Sequence, residues 1–515
     1  MSFCPRMRQT GTFAPGGSRR RAWRAQDRVR GLVFALMIVI KNAFWLSVCR
    51  FTADFSSLVL FTFISRDLGP ASTGEYSYAF ALGAFIAIFA ASGLDQYGVR
   101  QYMRLTSDEE RATCWRSMLV AQGLQLVMGL GMLGLAIAYL GGRNANPLVI
   151  LELTVFLVGW GLSRTFFIPA SARQAMAIPA FIELGCRAIA ALISLVLLLV
   201  GVHSMPLMLL PFPIAGAILI ALAMRNATLN GAPLRFGTDW KEISHIARST
   251  LPFTLCEALG QFYIRADMLV IVNLLGTAAV GWYAADLKMV EVGVMPLILL
   301  GTAAYPVLSR TALQDRDGFL KLSEEFLRSV LFVSGWLAVG MYCLVPLVID
   351  LLFGDRFDPA ARMLPLFSAL AVVKGLEIAV YRLLYATKRQ NTYLAALVFG
   401  TILIVSLNFW LIPAFGANGA IAVVVLSTAL VDLICITGLK KALPGSLFLF
   451  SLGRLVLPLA CTALVFEGLH SLGLNEWIVA IGACLAFPVL GIVSGLLPHP
   501  RRSLLLATER APTPT

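Results

Sequence analysis

Apolar runs of roughly twenty residues recur along this chain from residue 42 to residue 497. The basic residues between them fall almost entirely in every second connection. A run of that length is what an α-helix needs to cross the hydrocarbon core of a bilayer. Backbone groups inside lipid find no water, so a spanning segment is a helix or part of a closed barrel. A barrel shows weak ten-residue alternation instead of continuous apolar runs. The runs therefore predict an all-α polytopic membrane protein.

Fourteen spans are expected, at about 42–64, 76–97, 115–140, 147–170, 181–202, 204–224, 248–274, 281–308, 325–351, 363–386, 391–412, 417–438, 449–470 and 474–497. Charge tests that count. Of the 41 Lys and Arg, 32 fall on one side of the resulting topology. Only Arg66, Arg143, Arg356 and Arg362 fall on the other. One missed or invented span would scramble this bias, and the positive-inside rule makes the basic side cytoplasmic, with both termini there. The expected organisation is a disordered basic cytoplasmic tail (1–41), a six-helix half (42–224), a cytoplasmic linker (225–247), a second six-helix half (248–438), two further helices (439–497) and a cytoplasmic tail (498–515).

Composition closes off other classes. Only 13% of the residues are charged, against about 25% in soluble domains. The net charge of +13 follows topology and is not gathered into a nucleic-acid-binding patch. Nine scattered cysteines without a C-x-x-C, and four isolated histidines, predict no disulfide framework and no metal site.

The chain also repeats itself. A shift of 207 residues lays Cys49 on Cys256, Phe55 on Phe262, Leu68 and Gly69 on Leu275 and Gly276, Gly74 on Gly281 and Tyr76 on Tyr283. A repeat of six spans enters the membrane from the same side twice. It predicts two parallel six-helix halves related by a pseudo-twofold along the membrane normal, with helices 13 and 14 outside it and a substrate site between the halves.

Charges inside the spans mark the chemistry, because an ionised group at bilayer depth faces a protein interior or a water-filled cavity. The embedded cations are Arg50, Arg187, Arg265, Lys288 and Lys374. Helical spacing offers Arg50 the carboxylate of Asp54, Arg187 that of Glu183, Lys288 that of Glu291 and Lys374 that of Glu377. Arg265 has no such partner on its own helix. Glu257, Gln261 and Arg265 form a stripe four residues apart along helix 7.

Arg265, Ala266 and Asp267 within helix 7, the L-G-x-x-x-x-G-x-Y turn after it and Pro306-Val307-Leu308-Ser309-Arg310 carry a resemblance. So do Leu352-Phe353-Gly354-Asp355-Arg356-Phe357 and Asn408-Phe409-Trp410-Leu411-Ile412-Pro413 followed by Gly416-Ala417-Asn418-Gly419-Ala420. Together they resemble the polysaccharide-biosynthesis flippases of the multidrug/oligosaccharidyl-lipid/polysaccharide exporter superfamily, over roughly residues 40–440. The resemblance implies alternating-access transport of undecaprenyl-pyrophosphate-linked oligosaccharide across a bacterial inner membrane, without enzymatic chemistry. It also implies a polysaccharide polymerase and a chain-length regulator as partners, beside membrane lipids.

On that reading helices 1, 7, 8 and 10 line the cavity. Arg265, Arg50, Lys288, Lys374, Tyr263 and Glu257 are the substrate-binding candidates. A guanidinium binds phosphate oxygens bidentately, and Phe262, Tyr263, Trp282 and Tyr283 offer rings for sugars. No cofactor is expected beyond coupling to a H⁺ or Na⁺ gradient, with Asp54, Asp267 and Asp432 as coupling candidates. Pro252, Pro296 and Pro306 mark where helices 7 and 8 would flex. The alternatives are a multidrug or cation exporter of the same superfamily, a peptidoglycan-precursor flippase and a membrane enzyme. Short external loops weigh against the last.

Overall fold

The computed structural model describes the backbone of residues 17–91, 93–105, 107–140, 145–173, 175–232 and 240–497, and their side chains except those of 17–44, 46, 47, 50, 96, 108 and 140. Thirteen helices among the described residues are long and apolar enough to cross a membrane. The first of them is two spans, because the helical stretch Gly17–Ala91 breaks at Gly69. The arms before and after Gly69 are α1 and α2, which restores fourteen crossings. The others are α3 (Asp108–Leu140), α4 (Pro147–Phe166), α5 (Ala177–Leu199), α6 (Pro211–Leu229), α7 (Trp240–Leu275), α8 (Thr277–Gln314), α9 (Arg316–Cys343), α10 (Leu364–Ala386), α11 (Gln390–Phe415), α12 (Ala417–Leu439), α13 (Gly445–Ser471) and α14 (Glu476–Val493). The tail expected to be irregular is helical from Gly17 onward. Its Arg and Ala residues are strong helix formers and run directly into α1.

Local sequence explains the hairpins on the side opposite the basic loops. Gly69 (φ 81, ψ −177) and Gly276 (φ 88, ψ 177) occupy nearly the same conformation at equivalent positions of the repeat. Gly354 repeats it before α10 (φ 77, ψ 179). This region of backbone space is essentially closed to any residue with a Cβ. The Leu-Gly and Phe-Gly motifs are therefore turn geometry. The motif around Gly354 adds two buried anchors, Phe353 and Phe357. Side-chain caps start other helices: Asn146 accepts from Leu148 N at 3.0 Å, Asp315 from Gly318 N at 3.0 Å and Asn475 from Trp477 N at 2.9 Å.

The two halves meet through a reciprocal contact. A Cβ on Gly74 would overlap the carbonyl of Thr277, and a Cβ on Gly281 would overlap that of Pro70. Thr277 and Pro70 are themselves 207 residues apart, so each half offers the other the same surface. That is the signature of a twofold contact. The pairing within each half also repeats. The α1–α2 stretch packs on α4 and α5 as α8 packs on α10 and α7 on α11, and α6 packs on α4 and α5 as α12 packs on α10 and α11. Helices α13 and α14 dock outside this plan, against α9. Trp336 Nε1 donates to the carbonyl of Cys484 at 2.8 Å, and Phe332 meets Phe487 at 5.9 Å.

Buried apolar residues form one core running through both halves. Large apolar side chains also cover the outside: Trp410, Val493 and Leu449 are each more than 70% exposed. In water such a surface would drive aggregation. In lipid it is the solvent-matched surface, and the molecule is a multi-pass membrane protein. Pro252, Pro296 and Pro306 lie inside α7 and α8, which continue through them.

Candidate functional site

The embedded charges sort into four centres, three of them joined across helices. In the first, Arg265 of α7 reaches Glu291 of α8, with Nη2 2.7 Å from Oε1. Lys288 holds the other oxygen at 3.3 Å. Arg265 is thus not the unneutralised cation that the spacing on its own helix suggested. Its partner comes from the next helix, a distance that helical spacing cannot report. One carboxylate between two cations still leaves a net positive charge, half-exposed at the α7–α8 crossing.

In the second centre Lys374 of α10 pairs with Glu377 at 2.7 Å, as its spacing predicts. The ammonium lies 5.4 Å from the ring centroid of Tyr263 on α7, within cation–π range. The Tyr263 hydroxyl donates to Thr428 Oγ1 of α12 at 3.0 Å. Asp432, one turn further along α12, is buried, and its Oδ2 has no hydrogen-bond partner among the described residues. Tyr263 and Arg265 are two residues apart, so they leave α7 in directions about 200° apart. The first two centres therefore flank α7 and do not merge.

The third centre corrects one expected pair. Arg187 of α5 bonds Asp54 of α1 at 3.0 Å, with Ser57 Oγ at 3.4 Å, where Glu183 had been expected. Asp54 had been assigned to Arg50, whose side chain lies outside the described residues.

The fourth centre takes Glu257 out of the expected substrate stripe. Glu257 Oε1 of α7 lies 3.3 Å from Arg164 Nη1 at the end of α4. The same guanidinium is bonded to Asp95, at the start of the short helix Leu94–Arg104. Arg164 had been counted as a loop cation. It ties the first half to the second on the side of the basic loops. Nearer the start of α7 Ser117 Oγ of α3 donates to Glu242 Oε2 at 2.8 Å, and a Cβ on Gly93 would meet Thr254 of α7. Asp95 and Glu257 lie 69 and 93 residues from Arg164 along the chain. Only the fold shows their meeting.

The aromatic expectations divide. Tyr283 is fully buried, and its hydroxyl is bonded to the carboxylate of Asp267. Trp282 Nε1 donates to the carbonyl of Arg356 at 3.0 Å, where the segment between α9 and α10 covers the ends of α1 and α8 opposite the basic loops. Both rings are structural. Phe262 closes a seam, meeting Phe85 of α2 at 5.3 Å. Asp286 of α8 is an embedded acid to which the sequence assigned no role. It is completely buried, and neither carboxylate oxygen has a hydrogen-bond partner among the described residues.

The seam at Phe262 has an equivalent, and the two differ. The repeat places Phe55 where Phe262 stands and Val292 where Phe85 stands. The α2–α7 seam is closed by Phe85 against Phe262 and, at its basic-side end, by Gly93 against Thr254. Across the α1–α8 seam Phe55 is 56% exposed and Val292 is 39% exposed. Asp54 and Arg187 lie beside one edge of this seam. Lys288 and Glu291 lie beside the other. The arrangement is an apolar opening flanked by charge.

A family model described as "Polysaccharide biosynthesis protein" matches residues 39–312. No curated protein matches the sequence. Among solved structures the chain is similar to one described as lipid II flippase MurJ in an inward closed conformation, with TM-score 0.71 and 14% identity over 90% of this chain and 99% of that one. It is also similar to an inward-facing multidrug resistance MATE family transporter of the MOP superfamily, with TM-score 0.55 and 12% identity over 76% and 96% of the two chains. A third likeness is to a MOP superfamily transporter from Pyrococcus furiosus Vc1 (DSM3638), with TM-score 0.50 and 11% identity over 78% and 95%. At these identities the likeness is one of fold.

Proposed function

The chain belongs to the polysaccharide biosynthesis protein family, and on that premise we propose that it flips undecaprenyl-pyrophosphate-linked oligosaccharide across the bacterial inner membrane by alternating access. Both termini lie in the cytoplasm on this reading. The observation that carries it is the asymmetry of the two seams. A lipid-linked sugar has a polar, anionic head and a very long apolar tail. An open apolar seam bordered by cations lets the head enter the protein while the tail stays in lipid. The α1–α8 seam, with Arg265 and Lys288 sharing Glu291 on one edge and Arg187 on the other, has that form.

In the proposed site Arg265 and Lys288 receive the pyrophosphate, exchanging part of their interaction with Glu291 for phosphate oxygens. Arg187 with Asp54 borders the same entrance. Lys374 and Tyr263 lie behind α7 and act on the sugar side. Coupling to H⁺ or Na⁺ rests on Asp432: like Asp286 it is a buried carboxylate with an unpartnered oxygen, which requires a proton or a cation, and it stands one turn from Thr428, the partner of Tyr263. Asp54 and Asp267 already hold Arg187 and Tyr283. The fold likeness to the lipid II flippase supports a lipid-linked substrate and does not select the sugars.

The test is reconstitution of the full-length protein in proteoliposomes holding a fluorescent lipid-linked oligosaccharide on a pyrophosphate. Flipping makes a fraction of the inner-leaflet label accessible to a membrane-impermeant quencher. No added accessibility over empty liposomes, together with efflux of cationic dyes, would replace this reading with the multidrug one.

A further inference from the structure

On α10, Lys374, Tyr381 and Tyr385 are spaced seven and four residues apart and therefore share one helix face. Tyr381 lies 5.9 Å from Tyr385, and both meet Tyr393 at the start of α11, at 5.7 and 6.2 Å between ring centroids. Arg382 lies against the ring of Tyr381 at 4.8 Å and against Tyr305 of α8 at 5.9 Å, with Nη2 donating to Thr302 Oγ1 at 2.9 Å. Above the three tyrosines, on the same face, Lys374 lies over Tyr263. Aromatic side chains thus line a path from the Lys374 centre to the end of α10 on the basic side. Tyr385 is 42% exposed.

The face of this path decides its use. Tyr and Trp also gather at membrane–water interfaces as anchors. An anchor belt faces lipid. Lys374 and Glu377 are a charged pair inside a span, and such pairs face protein or a water-filled cavity. The tyrosines continue the Lys374 face, so they share its polar side.

Resting on the flippase reading above, we propose that Tyr381, Tyr385 and Tyr393 form a stacking subsite for the pyranose rings of the carried oligosaccharide. Sugar rings present flat C–H faces that an electron-rich ring can cover, and the hydroxyls at the ring edges stay free for water. Stacking of this kind tolerates different sugars in succession, as a passage for a repeat unit requires. It would place the glycan along α10 and α11, on the Lys374 side of α7. The rings that spacing alone suggested, Trp282 and Tyr283, are structural, and this cluster takes over their expected role.

The test measures binding to the full-length protein in nanodiscs with two probes: undecaprenyl pyrophosphate, and undecaprenyl pyrophosphate carrying a short neutral oligosaccharide. Tyr385→Ala and Tyr393→Ala should each weaken the sugar-bearing lipid about three- to tenfold, as expected for loss of one ring contact, and leave the sugar-free lipid unchanged. Tyr385→Phe and Tyr393→Phe keep the ring and should bind as the unsubstituted protein does. Equal weakening for both lipids, or no weakening for either, would make the cluster an interfacial anchor and overturn the subsite. If the unsubstituted protein binds the bare pyrophosphate lipid and gains nothing from the sugar, the subsite alone fails. If it binds neither lipid, the flippase reading fails and the subsite with it.

Discussion

At the scale of single residues, the question is which charges are committed to holding the protein together and which can be lent to a substrate. Glu291 shares its two oxygens between Arg265 and Lys288. A second anion can bind there because the cations outnumber the carboxylate. A hydrogen bond to a charged group contributes about 1.5–3 kcal/mol. Arg265→Ala should therefore lower lipid-linked sugar flipping by about one to two orders of magnitude while Lys288 still neutralises Glu291 and the protein inserts normally. Unchanged flipping in proteoliposomes at matched protein would remove Arg265 from the site. The sequence showed Arg265 as an embedded cation and gave Lys374 its partner Glu377. It could not show Glu291 bridging two helices or Arg187 reaching Asp54 of another helix. Helical spacing reports neighbours on one helix only, and these partners arrive from another.

At the scale of elements, the hairpin glycines carry the fold. Gly69, Gly276 and Gly354 hold a backbone conformation open to glycine, and Gly74 and Gly281 let the two halves touch backbone to backbone. The motif Leu-Gly-x-x-x-x-Gly was legible as a repeat, and the structure explains its spacing: the first glycine turns the chain and the second admits the opposite half. Gly281→Leu places a side chain against the carbonyl of Pro70. Expected is an outer end that cannot close. Labelling of a single cysteine introduced at Thr277 by a membrane-impermeant maleimide should rise severalfold, and flipping should fall with it. Labelling at the level of the unsubstituted glycine protein would show that the outer end closes by other contacts.

At the scale of the whole molecule, the two halves are locked together along α2 and α7 by Phe85 with Phe262 and by Asp95, Arg164 and Glu257. The alternating-access cycle proposed above requires this closure to part. Cysteines in place of Asp95 and Glu257, joined by a short thiol-specific cross-linker, should stop flipping, and a cross-linker cleavable by reductant should restore it on reduction. Flipping that continues through the cross-link would mean that this seam stays shut throughout the cycle. What the sequence determined by itself is the membrane class, the span count and the twofold plan. Those depend on local quantities: apolar length, loop charge and glycine spacing, each read within one segment or by laying one half on the other. Only the tertiary structure decided which charges pair, which aromatic rings are buried in the core and which of two equivalent seams is closed. Each of those is a choice among partners brought together from distant parts of the chain, and two halves built on one plan can settle it differently.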